Sequence, residues 1–97
     1  MGNSHEAVIR DIRGFAASGH GPVDVVRRML SGLTDPRGGM PSSYTCATCL
    51  YRAFEIEIEV AKRAQAWAGF GRGGSMTNEQ LERLLGRLVP RSEELFD

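Results

Sequence analysis

Histidine is nearly missing from this chain. His5 and His20 are its only imidazoles, beside two cysteines, one tryptophan and a single lysine, Lys62, in 97 residues. Two histidines do not assemble a convincing Ser/His/Asp site, and they cap any zinc site at Cys46, Cys49, His20 and His5. Long apolar runs are absent as well, which excludes a membrane-spanning helix. An excess of either charge is also lacking: Lys+Arg and Asp+Glu are both 12. A nucleic-acid binder usually carries a basic excess or stripe, so the balance weighs against nucleic acid as the main partner. The start, MGNSHEAVIRD, has no signal-peptide core. An acylation start would want Ser or Thr where Glu6 stands. These absences predict a cytoplasmic protein, in which two cysteines stay reduced.

What is present is ordinary globular composition, 41% hydrophobic and 25% charged, so the chain 1–97 reads as one domain. A chain of this size buries only about 60–65% of its unfolded surface. Its core is modest, and a partner, a metal or a second copy could supply much of its stability. Eleven of the twelve basic residues are arginine. That fits a GC-rich genome, or selection for bidentate recognition of carboxylates and phosphates.

Helix signals punctuate the chain. Asn3 and Glu6 have capping-box spacing, and Val8, Ile12 and Phe15 follow at helical intervals. Gly19-His20-Gly21 ends that helix. Pro22 suits the first turn of a second, whose buried face would be Val25, Val26, Met29, Leu30 and Leu33. Thr34–Ser43 holds two prolines and two glycines and reads as a loop. Thr77 and Gln80 make the clearest capping box, with Met76 and Leu81 as a hydrophobic staple. Leu81, Leu84, Leu85 and Leu88 continue the stripe until Pro90, and Leu95 and Phe96 could pack back in a last turn.

Between these lies Tyr44–Ala68. Read as one helix, capped by Ser43 or Thr45, it would be roughly 35 Å long. It would place Cys49, Ala53, Ile56, Val60, Ala64 and Trp67 on one apolar stripe, and Leu50, Phe54, Ile58, Ala61 and Ala68 on another. Glu57 falls between the stripes and is expected to be a buried carboxylate paired with an arginine such as Arg13 or Arg28, or else to stand at the rim. Arg52, Glu55, Glu59, Lys62 and Arg63 share the polar face. The alternation in Glu55–Val60 also fits an exposed strand. The predicted fold is all-α: four main helices, near 4–18, 22–33, 44–68 and 77–89, with the long third helix as spine.

Cys46-Ala47-Thr48-Cys49 is the one motif with reactive elements. A C-x-x-C at a helix start can bind zinc with two further ligands, form a redox pair, or simply pack as two small apolar residues. The redox reading resembles the all-helical AhpD-like (carboxymuconolactone decarboxylase) family, whose peroxidase members carry such a motif in a helix. Their histidine, four residues after the second cysteine, is Ala53 here, which removes the proton relay. Gly69-Phe70-Gly71-Arg72-Gly73-Gly74 is glycine-rich but lacks a P-loop lysine and reads as a turn.

A wider resemblance runs through Val25-Val26-Arg27-Arg28-Met29-Leu30, Tyr51-Arg52-Ala53-Phe54-Glu55-Ile56, Trp67, the glycine-rich turn and Thr77–Leu85. This pattern resembles small helical bacterial proteins of the immunity or interaction type found beside polymorphic toxins. It implies a non-enzymatic module without a cofactor that binds and neutralises or regulates another bacterial protein. Expected contacts are Arg52, Glu55, Glu59 and Arg63 on the charged face and Arg37, with Met40, in the loop. Two other readings stay open: a zinc-stabilised regulatory domain, with nucleic acid as one partner class, and a thiol oxidoreductase using Cys46 and Cys49. Homodimerisation is compatible with all three.

Overall fold

A computed structural model of the chain describes residues 4–34, 37, 39, 41–70 and 73–91, with the backbone alone at Ser4 and Ser43. The expected cap at Asn3, the loop residue Met40 and the last turn with Leu95 and Phe96 lie outside them. Helix α1 runs Ser4–Ala17 and α2 runs Pro22–Leu33. Gly19, at φ 102°, makes the turn between them. Pro22 stands in the first turn of α2 as expected. The two helices pack as an antiparallel pair through Val8, Ile9, Ile12, Val25, Val26 and Met29, all buried. At the rim Arg28 holds Asp11 with two bonds, 2.6 and 2.9 Å, so one of the two partners proposed for Glu57 is taken by another carboxylate.

Helix α3 spans Ser43–Ala53. Its cap is Ser42, whose Oγ accepts from the Thr45 N–H at 3.0 Å, rather than Ser43 or Thr45 as read from the sequence. The 44–68 spine is not continuous. Phe54 leaves the helix with φ −130° and ψ 160°, and Glu57 is again extended at φ −75° and ψ 150°. A six-residue helix, α4 (Ile58–Arg63), follows, then two 3-10 turns, Ala64–Ala66 and Ala68–Phe70.

The break has a physical reason. An unbroken helix would carry Glu57 into the apolar interface, at the cost of burying a carboxylate. With the break, Phe54 turns fully into the core while Glu55, Glu57 and Glu59 are all exposed. The expected burial of Glu57 is therefore corrected, and among the described residues no polar or charged residue is buried. The extended stretch is paired rather than loose. Phe54 and Pro90 form an antiparallel bridge. The Glu55 N–H donates to the Val89 carbonyl at 2.9 Å, and the Arg91 N–H donates to the Ala53 carbonyl at 2.8 Å.

Helix α5 is Asn78–Leu85, with the Thr77/Gln80 capping box formed in both directions. It ends earlier than the expected residue 89 because Gly86 takes φ 59°, a conformation that stops a helix without Cβ strain. Leu88 then buries its side chain and Val89–Arg91 run back along the α3 terminus. Trp67, 2% exposed, anchors the other end. Its indole N–H donates to Asn78 Oδ1 at 2.8 Å, and its ring meets Phe70 edge-on at 5.5 Å. Residues Ala66–Ala68 and Met76 exchange backbone bonds of 3.0 and 2.9 Å.

Gly74 passes so close to the Ala66 carbonyl that a Cβ there would sit well inside 3.0 Å of backbone atoms. Gly74→Ala should therefore destabilise the fold by about 1–3 kcal/mol, read as a lowered urea midpoint. Gly14→Ala, where a Cβ meets open space on α1, should be neutral or slightly stabilising. Equal midpoints for the two variants would contradict this packing.

Candidate functional site

The residues with reactive side chains are dispersed by the fold. Cys46 and Cys49 occupy the first two turns of α3, 0% and 2% exposed, and no disulfide joins them. They pack with Leu50, Ala53 and Phe54 in the core. Burial raises the Cys49 thiol to about 11, helped by the neighbouring Cys46 and opposed by Arg52. A thiol so placed is a poor source of thiolate at neutral pH. His5 is exposed on the first turn of α1. His20, in the α1–α2 turn, stacks on Phe15 with ring centroids 3.6 Å apart, and its Nδ1 lies 2.9 Å from the Phe15 carbonyl. Among the described residues no three His, Cys, Asp or Glu side chains converge on a point that could hold a metal. The combination Cys46, Cys49, His20 and His5 is therefore not brought together, because the cysteines face the core while both imidazoles face solvent.

The expected contact residues divide among four segments. Glu59 and Arg63 lie one turn apart on α4, both exposed. Glu59 reaches Lys62 at 3.8 Å with both side chains largely in solvent, a pair worth little to stability. Glu55 protrudes from the α3–α4 break. Arg52 is half-buried in the last turn of α3, less exposed than its place on the polar face suggested. Arg37 is exposed on the separate α2–α3 loop.

Sequence periodicity missed the residues that organise the surface at the break. Arg91 donates from Nε to the Tyr51 carbonyl and from Nη2 to the Ile56 carbonyl, each at 2.9 Å. Its guanidinium lies 4.5 Å from the centre of the Tyr51 ring. These bonds satisfy carbonyls left without helical partners where α3 ends. Nothing in local spacing links residues 51 and 91; the sole hint was an arginine just beyond Pro90. Around this clamp stand Tyr51, Val89 and Ile58, 38%, 45% and 37% exposed. Glu55, whose N–H donates to the Val89 carbonyl, and Glu59, next to Ile58 in the chain, are exposed as well. Tyrosine and arginine in such a setting are the residue types that anchor protein interfaces. Comparison with known protein families, curated proteins and solved structures gives no match.

Two measurements check this geometry. Removing the clamp with Arg91→Ala should cost about 1–3 kcal/mol by leaving carbonyls unpaired. Arg91→Lys should recover only part, since one ammonium lacks the planar fork that spans both acceptors. For Cys49, folded and unfolded chains both hold the proton below the ordinary value of 9.0. As pH rises from there toward about 11, the unfolded chain releases its proton first, so stability falls across that window. Urea midpoints at the two ends should differ more for the native chain than for Cys49→Ala. Equal differences would show that Cys49 is not buried as described.

Proposed function

We propose that this chain is a non-enzymatic protein-interaction module that binds another bacterial protein and neutralises or regulates it by covering its surface. The contact surface is the α3–α4 break, with Tyr51, Ile58 and Val89 at its centre and Glu55, Glu59, Arg52 and Arg63 around them. Arg37 on the neighbouring loop is a secondary contact. The observation that carries this reading is the distribution of exposed apolar side chains. Of the four large ones exposed among the described residues, three border this junction, Tyr44 being the fourth. Scattered exposed apolar residues need no explanation, but a group of them beside fixed charges marks an interaction site. The break supports the reading further. It projects three glutamates from a rigidly bonded backbone, so their ordering cost has been met before a partner arrives.

Occlusion needs no reactive group, and the burial of both cysteines favours a packing role for them. A basic partner surface would complement Glu55 and Glu59, steering encounter and fixing register. In affinity capture from a bacterial lysate on the immobilised chain, Glu55→Lys with Glu59→Lys should reduce the retained partner by about tenfold or more. The melting temperature should stay unchanged, because both side chains are exposed. Retention equal to the native chain would remove this surface from consideration. Retention that survives Cys46→Ala with Cys49→Ala would be in keeping with a core role for the cysteines.

A further inference from the structure

A second surface lies on the α1 side of the returning segment and shares Val89 with the junction. Two adjoining depressions, of about 340 and 370 Å3, share Ala17 and Pro90. Together they form one groove between the C-terminal half of α1 and the returning segment Arg87–Pro90. Its floor is small and apolar: Gly14, Ala16 and Ala17 on one wall, Leu88, Val89 and Pro90 on the other. Its polar lining is of one character. Arg10 and Arg13 stand at one end, His20 and Arg87 at the other, and among the described residues no carboxylate lines either depression. Glu82 stands at the margin, its Oε2 3.8 Å from where a Cβ on Gly21 would lie. In a chain of zero net charge this is a local segregation of cations beside an apolar trough.

We infer that this groove binds an acidic peptide segment of a partner protein, with apolar side chains seated between α1 and Leu88–Pro90 and its carboxylates held by Arg10 and Arg87. The size and composition fit. Each depression falls in the range of ordinary ligand sites, and glycine and alanine walls let a main chain approach closely. A peptide carrying Glu with Leu or Phe satisfies both the floor and the rim. Nucleic acid fits less well. Its bases would need aromatic faces to stack on, and His20, the only aromatic ring among the described lining residues, is already stacked on Phe15. The groove shares Val89 with the contact surface at the α3–α4 break, but the charges it uses, Arg10 and Arg87, are distinct from Glu55 and Glu59.

The test is fluorescence anisotropy of a labelled synthetic peptide alternating Glu with Leu and Phe, titrated with the full chain. Saturable binding is expected, weakened by salt because the charges are exposed. Arg10→Glu with Arg87→Glu should weaken it by about tenfold or more. Ala17→Trp, which fills the floor at an exposed helical position, should do the same without lowering the melting temperature. Glu55→Lys with Glu59→Lys should leave it unchanged, so failure at the junction and failure in the groove are told apart. The assignment is overturned by equal binding of the same peptide with Gln in place of Glu, or by no saturation up to about 1 mM. Displacement by a single-stranded oligonucleotide at lower concentration than by unlabelled peptide would overturn it too. Sedimentation showing self-association that Arg10→Glu with Arg87→Glu abolishes would put a second copy in the groove instead.

Discussion

The hydrogen bonds that close the end of α3 govern the rest of this structure. A helix that stops at Ala53 strands carbonyl groups beside a fully buried Phe54. Unpaired acceptors there would each cost on the order of 1–3 kcal/mol. Residues nearly forty positions later supply the donors: the Arg91 backbone to Ala53 and its guanidinium to Tyr51 and Ile56. The reciprocal bond from Glu55 to Val89 fixes the register, so that Pro90, which has no N–H to give, faces Phe54 where none is required. Once this closure is made, α4 must start in a new direction. Phe54 is committed to the core, and the alternating glutamates are committed to water.

The second fixed point, at Trp67, has the same logic on a smaller scale. A buried indole needs an acceptor, and Asn78 provides it from the first residue of α5. The carbonyls and amides on either side of Trp67 are met by Met76. Gly69 leaves room for the ring itself, since a Cβ there would overlap its outer atoms. Arg27 of α2 lies 5.8 Å from the ring centre, so α2, the 3-10 turns and α5 meet at one aromatic side chain. Cys46 and Cys49 need no such partnering. They fill space beside Leu50 and Ala53 as small soft residues do.

How much of this the sequence disclosed follows the range of the interactions. Elements set by local rules were legible: Pro22 at the start of α2, the Thr77/Gln80 box, and the apolar faces of α1, α2 and α5. The third predicted helix failed because its decisive interaction is long-range. Periodicity over 44–68 correctly placed Cys49, Leu50, Ala53, Phe54, Ala61, Ala64 and Trp67 in the core, but of its other stripe residues Ile56 and Val60 are only partly buried and Ile58 and Ala68 are exposed. The same pattern could not register that Arg91 would make an ending at Ala53 affordable. The local warning was the alternation of Glu55–Val60, which fits extended backbone, and Glu57, which a helix would have buried. The candidate surface was legible only as exposure: Glu55, Glu59 and Arg63 were readable as solvent-facing, whereas Tyr51, Val89 and Arg91 became a group only through tertiary pairing.

The zero net charge of this chain conceals an arrangement of opposite signs that the same closure creates. Breaking the helix before Glu57 places Glu55, Glu57 and Glu59 in solvent at the α3–α4 junction. Returning the chain through Arg87–Arg91 to bond with residues 53–55 sets Arg87 across a groove from Arg10 and Arg13 of α1. One short segment therefore borders both an acidic, partly apolar surface and a cationic groove, with Val89 taking part in each. Exposed charges of one sign that are grouped, rather than interleaved with the other, repel one another and cost folding free energy. At the junction this repulsion is partly relieved, since Glu59 meets Lys62 at 3.8 Å; in the groove it falls on Arg10, Arg13 and Arg87, where the proposed acidic peptide would relieve it.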